Sequence, residues 1–329
     1  MEKTMHTLEE VKNLIKQGKI LLLSGHEKLL SQLPRGNWLG GTSSYFMTEN
    51  GGTITDDLIE VTQLPDFIFE SNFKYYDAES LKNIYKDGYE NGFSVIIIPA
   101  FSNSHLQFAQ EVPSYEQFAV KPLVGWISGL NLSDPNAAAP KVFLGTEASV
   151  SNENAVVAHF KIPVGKIAEV SIINIFTEEN SIELEFPETG FDTSDVIVND
   201  KRINFVDFLN ENNLMIEYPL IANYSGAMIN TSFKAIDTEA KKVLFYAPVF
   251  KGVKYKFAKT HGDYVEEVMK YVSTDKESIS TFSCNCILNF LKLNLEGKRI
   301  GNICGPITFG EIAYQLLNQT LVNLDIRDI

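Results

Sequence analysis

The chain has 329 residues, 44% of them apolar and 21% charged, with 28 basic against 42 acidic side chains and a net charge of −14. This composition excludes a disordered or fibrous chain, and the charge repels phosphate backbones, so nucleic acid is not expected as a partner. No stretch reaches the 18 or so uninterrupted apolar residues of a membrane helix, so no membrane is expected either.

Residues 1–7 carry none of the apolar run of a signal peptide, and three clustered cysteines (Cys284, Cys286, Cys304) are too few for a disulfide framework. Both point to a cytoplasmic protein. In chain order, Thr7 and Glu10 have capping-box spacing before the apolar face Leu8, Val11, Leu14 and Ile15, and Gly18 stops that helix. A buried strand is expected over 20–24. Asn50-Gly51-Gly52 is a hairpin turn between strands over 38–46 and 53–62. Residues 67–76 alternate as a half-buried strand. Asp77 caps a helix bearing Leu81, Ile84 and Tyr85, and a strand over 93–100 follows Gly92.

From 122 to 185 short strands over 123–127, 141–144, 155–162, 169–176 and 182–186 suggest an antiparallel meander. The turn Asn199-Asp200-Lys201 precedes a helix near 205–209, and strands over 218–222 and 242–248 follow. Gly262-Asp263 opens a helix with Val265, Val268 and Met269 on one face. The end reads as strand 279–283, helix 287–293, loop 297–306, helix 309–317 and strand 320–326. The fold class expected is α+β: mostly antiparallel sheets with helices packed on their faces, in two similar-sized halves, 1–200 and 201–329.

Phosphate-binding loops are absent, and the five histidines, His6, His26, His105, His159 and His261, are scattered without ligand spacing. Cys284, Cys286 and Cys304 fall short of the four soft ligands of a structural zinc, so neither metal nor cofactor is expected. Gly40-Gly41-Thr42-Ser43-Ser44 sets two permissive backbones beside three hydroxyls. This is either a strand entering a hairpin or a wall for a small ligand. Trp126, between Gly125 and Gly129, belongs either to the core or to an apolar pocket wall. Thr308 and Glu311 again have capping-box spacing, and a helix start there offers unpaired N–H groups to an anionic group. Cys284, at a strand-to-helix turn, could carry a thiol of lowered pKa, with His105, His159 or His261 as its base.

At the C-terminus Phe282-Ser283-Cys284, then Gly305-Pro306-Ile307-Thr308-Phe309-Gly310-Glu311-Ile312-Ala313 and Asn318-Gln319-Thr320, resembles the closing segment of FIST (F-box and intracellular signal transduction) sensory domains. Gly41-Thr42-Ser43-Ser44 and Val198-Asn199-Asp200-Lys201 resemble that family's N-terminal turn and mid-chain strand more loosely. Thr42 stands where the family has cysteine, and the family's arginine after Phe-Ser-Cys is missing. The resemblance implies FIST N-like and FIST C-like parts forming a non-enzymatic sensor. It would bind an amino acid or similar metabolite between them and hand its signal to a separate protein. Gly41, Thr42, Ser43, Ser44, Trp126, Cys284, Gly305, Thr308, Phe309, Gly310 and Glu311 are the expected ligand contacts. The alternative is a cysteine-dependent hydrolase or acyltransferase using Cys284.

Overall fold

A computed structural model describes residues 3–134, 139–214, 216–224, 227–259, 262–271 and 280–329. It is an α+β protein of five sheets, mixed and antiparallel, with short helices on their outer faces. Local chemistry places many elements where the sequence puts them. The Thr7–Glu10 box caps helix Leu8–Lys16, with the Thr7 amide donating to Glu10 Oε2 at 2.8 Å. Asp263 caps helix Tyr264–Met269, and the hairpin Tyr45–Thr48/Gly51–Ile54 turns at Asn50.

Three sheets enclose the central core. One carries, in spatial order, Met5–His6, Ile59–Gln63, Leu21–Gly25, Trp38–Thr42, Val142–Leu144 and Ser149–Ser151. The second runs Gln315–Leu317, Glu311–Ala313, Leu123–Ser128, Gly92–Pro99, Ala155–Lys161 and Glu70–Tyr76. The third runs Lys166–Ile173, Leu321–Asp328, Phe282–Cys286, Gly305–Thr308, Tyr45–Thr48 and Gly51–Ile54. Leu22, Leu39, Ile97, Val124, Trp126, Phe282, Cys284 and Val322 meet between them. A separate core, with Leu184, Phe186, Phe205, Phe233, Phe245 and Tyr255, forms where the two remaining sheets pack with helix Phe205–Glu211. The second and third of these sheets thus join strands from both sides of residue 200.

Two expectations are corrected. The 123–186 strands are no meander: Leu123–Ser128 lies parallel to Gly92–Pro99, while Lys166–Ile173 pairs with the C-terminal strand. The expected helix over 309–317 is a pair of short strands, Glu311–Ala313 and Gln315–Leu317, turning at Tyr314 with φ 64°. Ile312, Leu316 and Leu317 fit a helical face, but the open edge of Leu123–Ser128 offers backbone partners, pairing Glu311 with Trp126 and Ile312 with Gly125. Tertiary pairing outweighs local propensity there. Helix Asn103–Glu111, capped by the Ser102 hydroxyl, was not expected.

A polar chain runs from the surface at Lys74 and Asp87 to the buried His159 and Ser94 of the second sheet. Lys74 and Tyr76 both donate to Asp87 Oδ2 (2.6 and 2.8 Å), Tyr76 Oη meets His159 Nε2 at 2.8 Å, and Ser94 Oγ meets His159 Nδ1 at 2.7 Å. Because Tyr76 spends its proton on Asp87, His159 donates from Nε2 and accepts from Ser94.

Close strand approach is most demanding at Gly125, with φ +155°, where an added Cβ would stand 1.8 Å from the Ile96 carbonyl oxygen. Gly125→Ala is expected to cost about 4 kcal/mol or more in urea unfolding. Gly165→Ala, at φ +88° with nothing within 4 Å, should cost only about 1–2 kcal/mol.

Candidate functional site

The structure gathers the expected contact residues at one junction of the three sheets. Gly41 and Thr42 end strand Trp38–Thr42, and Ser43 and Ser44 lead into Tyr45–Thr48. The Thr42 carbonyl accepts from the Gly129 amide at 2.8 Å, and Ser43 Oγ donates to the Ile307 carbonyl at 3.0 Å. Ser44 Oγ donates to Asp56. Thr308 lies beside Cys286 in the register, Phe309 packs over Gly129, and the Gly310 carbonyl accepts from the Ile127 amide at 2.8 Å. An added Cβ on Gly305 would stand 2.0 Å from the Ser283 carbonyl oxygen, and Cys284 donates its thiol to the Gly125 carbonyl at 3.4 Å.

The junction is dry and its groups are largely committed. Thr308 does not cap a helix; its hydroxyl points to the carbonyls of Asn285 (3.3 Å) and Gly310 (3.1 Å). The expected helix-start donors are therefore replaced by ladder hydrogen bonds. All of these residues except Phe309 are buried. Among the described residues Trp126 Nε1, Ser128 Oγ and Glu311 Oε1 find no hydrogen-bond partner there, while Glu311 Oε2 accepts from Thr320 at 3.3 Å. Burial raises Glu311 to about 8, against the opposing influence of the Cys286 thiol. Burial, then the neighbouring Glu311 carboxyl, drives the Cys284 and Cys286 thiols well above the usual range.

The histidines are occupied elsewhere. His159 lies in the polar chain above, and His105 accepts from the Phe101 amide at 3.2 Å. His26 caps helix Glu27–Leu30, and His261 lies outside the described residues. Among the described residues no group of three or more His, Cys, Asp and Glu is placed to hold a metal ion.

A cleft at the edge of the same central core was not foreseen. In strand Ile59–Gln63, Ile59 and Val61 turn outward toward helix Leu8–Lys16, so period two turns Glu60 and Thr62 inward, with Glu60 opposite Ser24. Glu60 is 2% exposed and lines a cleft of about 220 Å³. Phe282 supplies apolar wall on Glu60's side; Lys3, His6, Leu14, Val61 and Cys304 also line the cleft. The Thr62 hydroxyl donates to Glu60 Oε1 at 3.2 Å. Glu60 Oε2 has no partner among the described residues. Burial raises this carboxyl to about 8, with Thr62 pulling the other way. Alternating Ile59-Glu60-Val61-Thr62 reads as a strand with one wet face; only the sheet stacked above Glu60 turns that face inward. Phe282 links the cleft to the junction by stacking on Trp126, ring centroids 5.6 Å apart. A second cleft of about 340 Å³ lies by Phe101, His105, Phe191, Lys234 and Tyr246.

A multi-sheet α+β protein with a carboxyl-floored cleft at the edge of its central core is the class that fold and site define. The chain belongs to DUF6976, a family of unknown function, whose profile matches residues 6–327. No curated protein and no solved structure matches it. Among the described residues no helix is long and apolar enough to cross a membrane.

The buried acids set the pH dependence of stability. Glu60 and Glu311 ionise near 4.5 when unfolded but near 8 when folded, so the folded state holds extra protons in that window and loses stability as pH rises. His105 and His159, lowered from 6.5 to about 4 chiefly by burial, act oppositely, losing stability as pH falls through that window. The two effects offset between about 4.5 and 6.5; above that only the carboxyls act, at up to about 1.4 kcal/mol per pH unit for each. Urea midpoints should therefore fall from pH 6.5 to 8, and Glu311→Gln should remove about half of that slope. A thiol reagent at pH 8 should leave Cys284 and Cys286 unmodified until the chain unfolds. Rapid native labelling of Cys284 would instead favour the cysteine-enzyme alternative.

Proposed function

We propose that this protein binds a small molecule without transforming it, in the cleft floored by Glu60. It would serve as a cytoplasmic sensory protein of the kind the FIST resemblance implies and pass its signal to a separate protein. The observation that carries this reading is Glu60 itself: a carboxyl 2% exposed, facing a cleft, with the Thr62 hydroxyl as its one hydrogen-bond partner among the described residues. Leaving a buried polar group incompletely paired costs stability, and such groups in native folds point to an unseen occupant. A volume of about 220 Å³ suits a molecule of amino-acid size. Ligand pockets of this kind combine an apolar wall with few polar groups.

The junction would read the occupant out. Phe282 touches both the cleft and Trp126, and Trp126 neighbours Gly41 and pairs with Glu311. A ligand pressing on Phe282 is thereby coupled to the FIST-like segment 305–311. Against catalysis by Cys284 stand its burial and its raised pKa, since the thiolate is the nucleophile.

A thermal-shift screen of metabolites tests the reading. A true binder at about 100 times its Kd adds about 2.7 kcal/mol of stability. Both Glu60→Gln and Thr62→Trp should weaken it by about tenfold or more, each variant being checked for a native melt. Flat curves over a broad set, or a binder indifferent to both substitutions, would overturn the proposal.

A further inference from the structure

Resting on the reading of the Glu60 cleft as a ligand site, we infer that the group it recognises is a protonated amine on a molecule that carries no carboxylate. The argument is one of charge complementarity inside a poorly solvated space. Among the described residues nothing positively charged bears on Glu60: burial and the Thr62 hydroxyl are what act on its carboxyl. The two basic side chains of the lining are turned to other work. Lys3 Nζ spans both oxygens of Glu10, at 2.6 and 2.8 Å, and His6 Nε2 lies 3.0 Å from the Lys3 carbonyl.

Several hydroxyls are likewise spent. Thr4 donates to Glu49 Oε2 at 2.9 Å, and Ser280 donates to the carbonyls of Phe282 (2.9 Å) and Leu324 (3.1 Å). The Cys304 thiol is held neutral, pushed up to about 12 by burial and then by Glu60 and Glu49. A carboxylate entering this cleft would face an acid, with Lys3, the lysine of the described lining, already paired to Glu10, which is costly where water is excluded. An ammonium supplies what Glu60 lacks: a charge-assisted donor to Oε2 that lets the carboxyl ionise inside the cleft. Phe282, which lies on the same side of the sheet as Glu60, would then take the alkyl part. The inference separates simple amines from amino acids, whose carboxylate would be left unpaired.

Three probes of matched shape decide it by titration calorimetry: isobutylamine, valine (the same skeleton with a carboxylate added) and isobutyramide (uncharged). Isobutylamine should bind at least about tenfold tighter than either of the others, a difference of about 1.4 kcal/mol. Glu60→Gln should abolish that preference while leaving the melt of the protein native. If valine or isobutyramide binds as well as isobutylamine, and Thr62→Trp blocks it, the amine inference falls and the ligand site stands. If isobutylamine shows no heat while the metabolite screen yields a binder that depends on Glu60, the inference falls alone. If no compound in either experiment responds to Glu60→Gln or to Thr62→Trp, the ligand-site reading falls with it. The selectivity among the three probes is read on the unaltered protein, so the outcome does not hang on a variant folding.

Discussion

Backbone satisfaction along residues 305–313 is the constraint on which the rest of the structure depends. Within this stretch the chain leaves one sheet, where Gly305–Thr308 pairs with Tyr45–Thr48 and Phe282–Cys286, and enters another, where Glu311–Ala313 pairs with Leu123–Ser128. Almost no water reaches it, so each N–H and C=O there needs a protein partner. Phe309 and Gly310 bridge the gap through Ile127, whose carbonyl accepts and whose amide donates. Two sheets are thereby stitched by one continuous ladder. The closeness required explains why glycine stands at 41, 125, 129, 305 and 310, where a Cβ would meet a neighbour at less than 3 Å.

The same dryness gives the buried acids their character. Glu311 and Glu60 both sit where ionisation is penalised, yet their surroundings differ. Glu311 lies fully buried within the stitched junction, against Thr320 and Cys286. Glu60 lies at the margin of the core, on a strand whose inward face borders a cleft. One sits in a closed hydrogen-bonded junction; the other accepts from Thr62 through Oε1 at the border of the cleft. Phe282 and Trp126 connect the two, so an event at the margin has a packed route to the junction. Rigid packing of this kind transmits displacement because it has few voids to absorb it.

The sequence carried the local signals faithfully. Capping at Thr7 and Asp263, the Asn50-Gly51 turn and the strand runs around 93–100 and 155–162 rest on interactions within a few residues, and they recur in the fold. The junction residues Thr42, Trp126, Cys284 and Glu311 were legible as a set, through glycine-rich turns and the FIST-like closing segment. Their role as donors was not. Thr308 and Glu311 have the spacing of a capping box, and nothing nearby in sequence announces that Phe282–Cys286 will pair with the first and the edge of Leu123–Ser128 with the second.

What the sequence by itself determined is therefore the class of fold, the helix starts and the turns, because those depend on neighbours three or four residues away. Tertiary structure alone decided which strands meet across more than a hundred residues, as Ser43 meets Ile307 and Cys284 meets Gly125. It alone turned Glu60 from an apparent solvent-facing residue into the floor of a cleft. Alternation along a strand fixes which side chains share a face, but the identity of what covers that face comes from a segment more than two hundred residues away, Ser280 to Ser283.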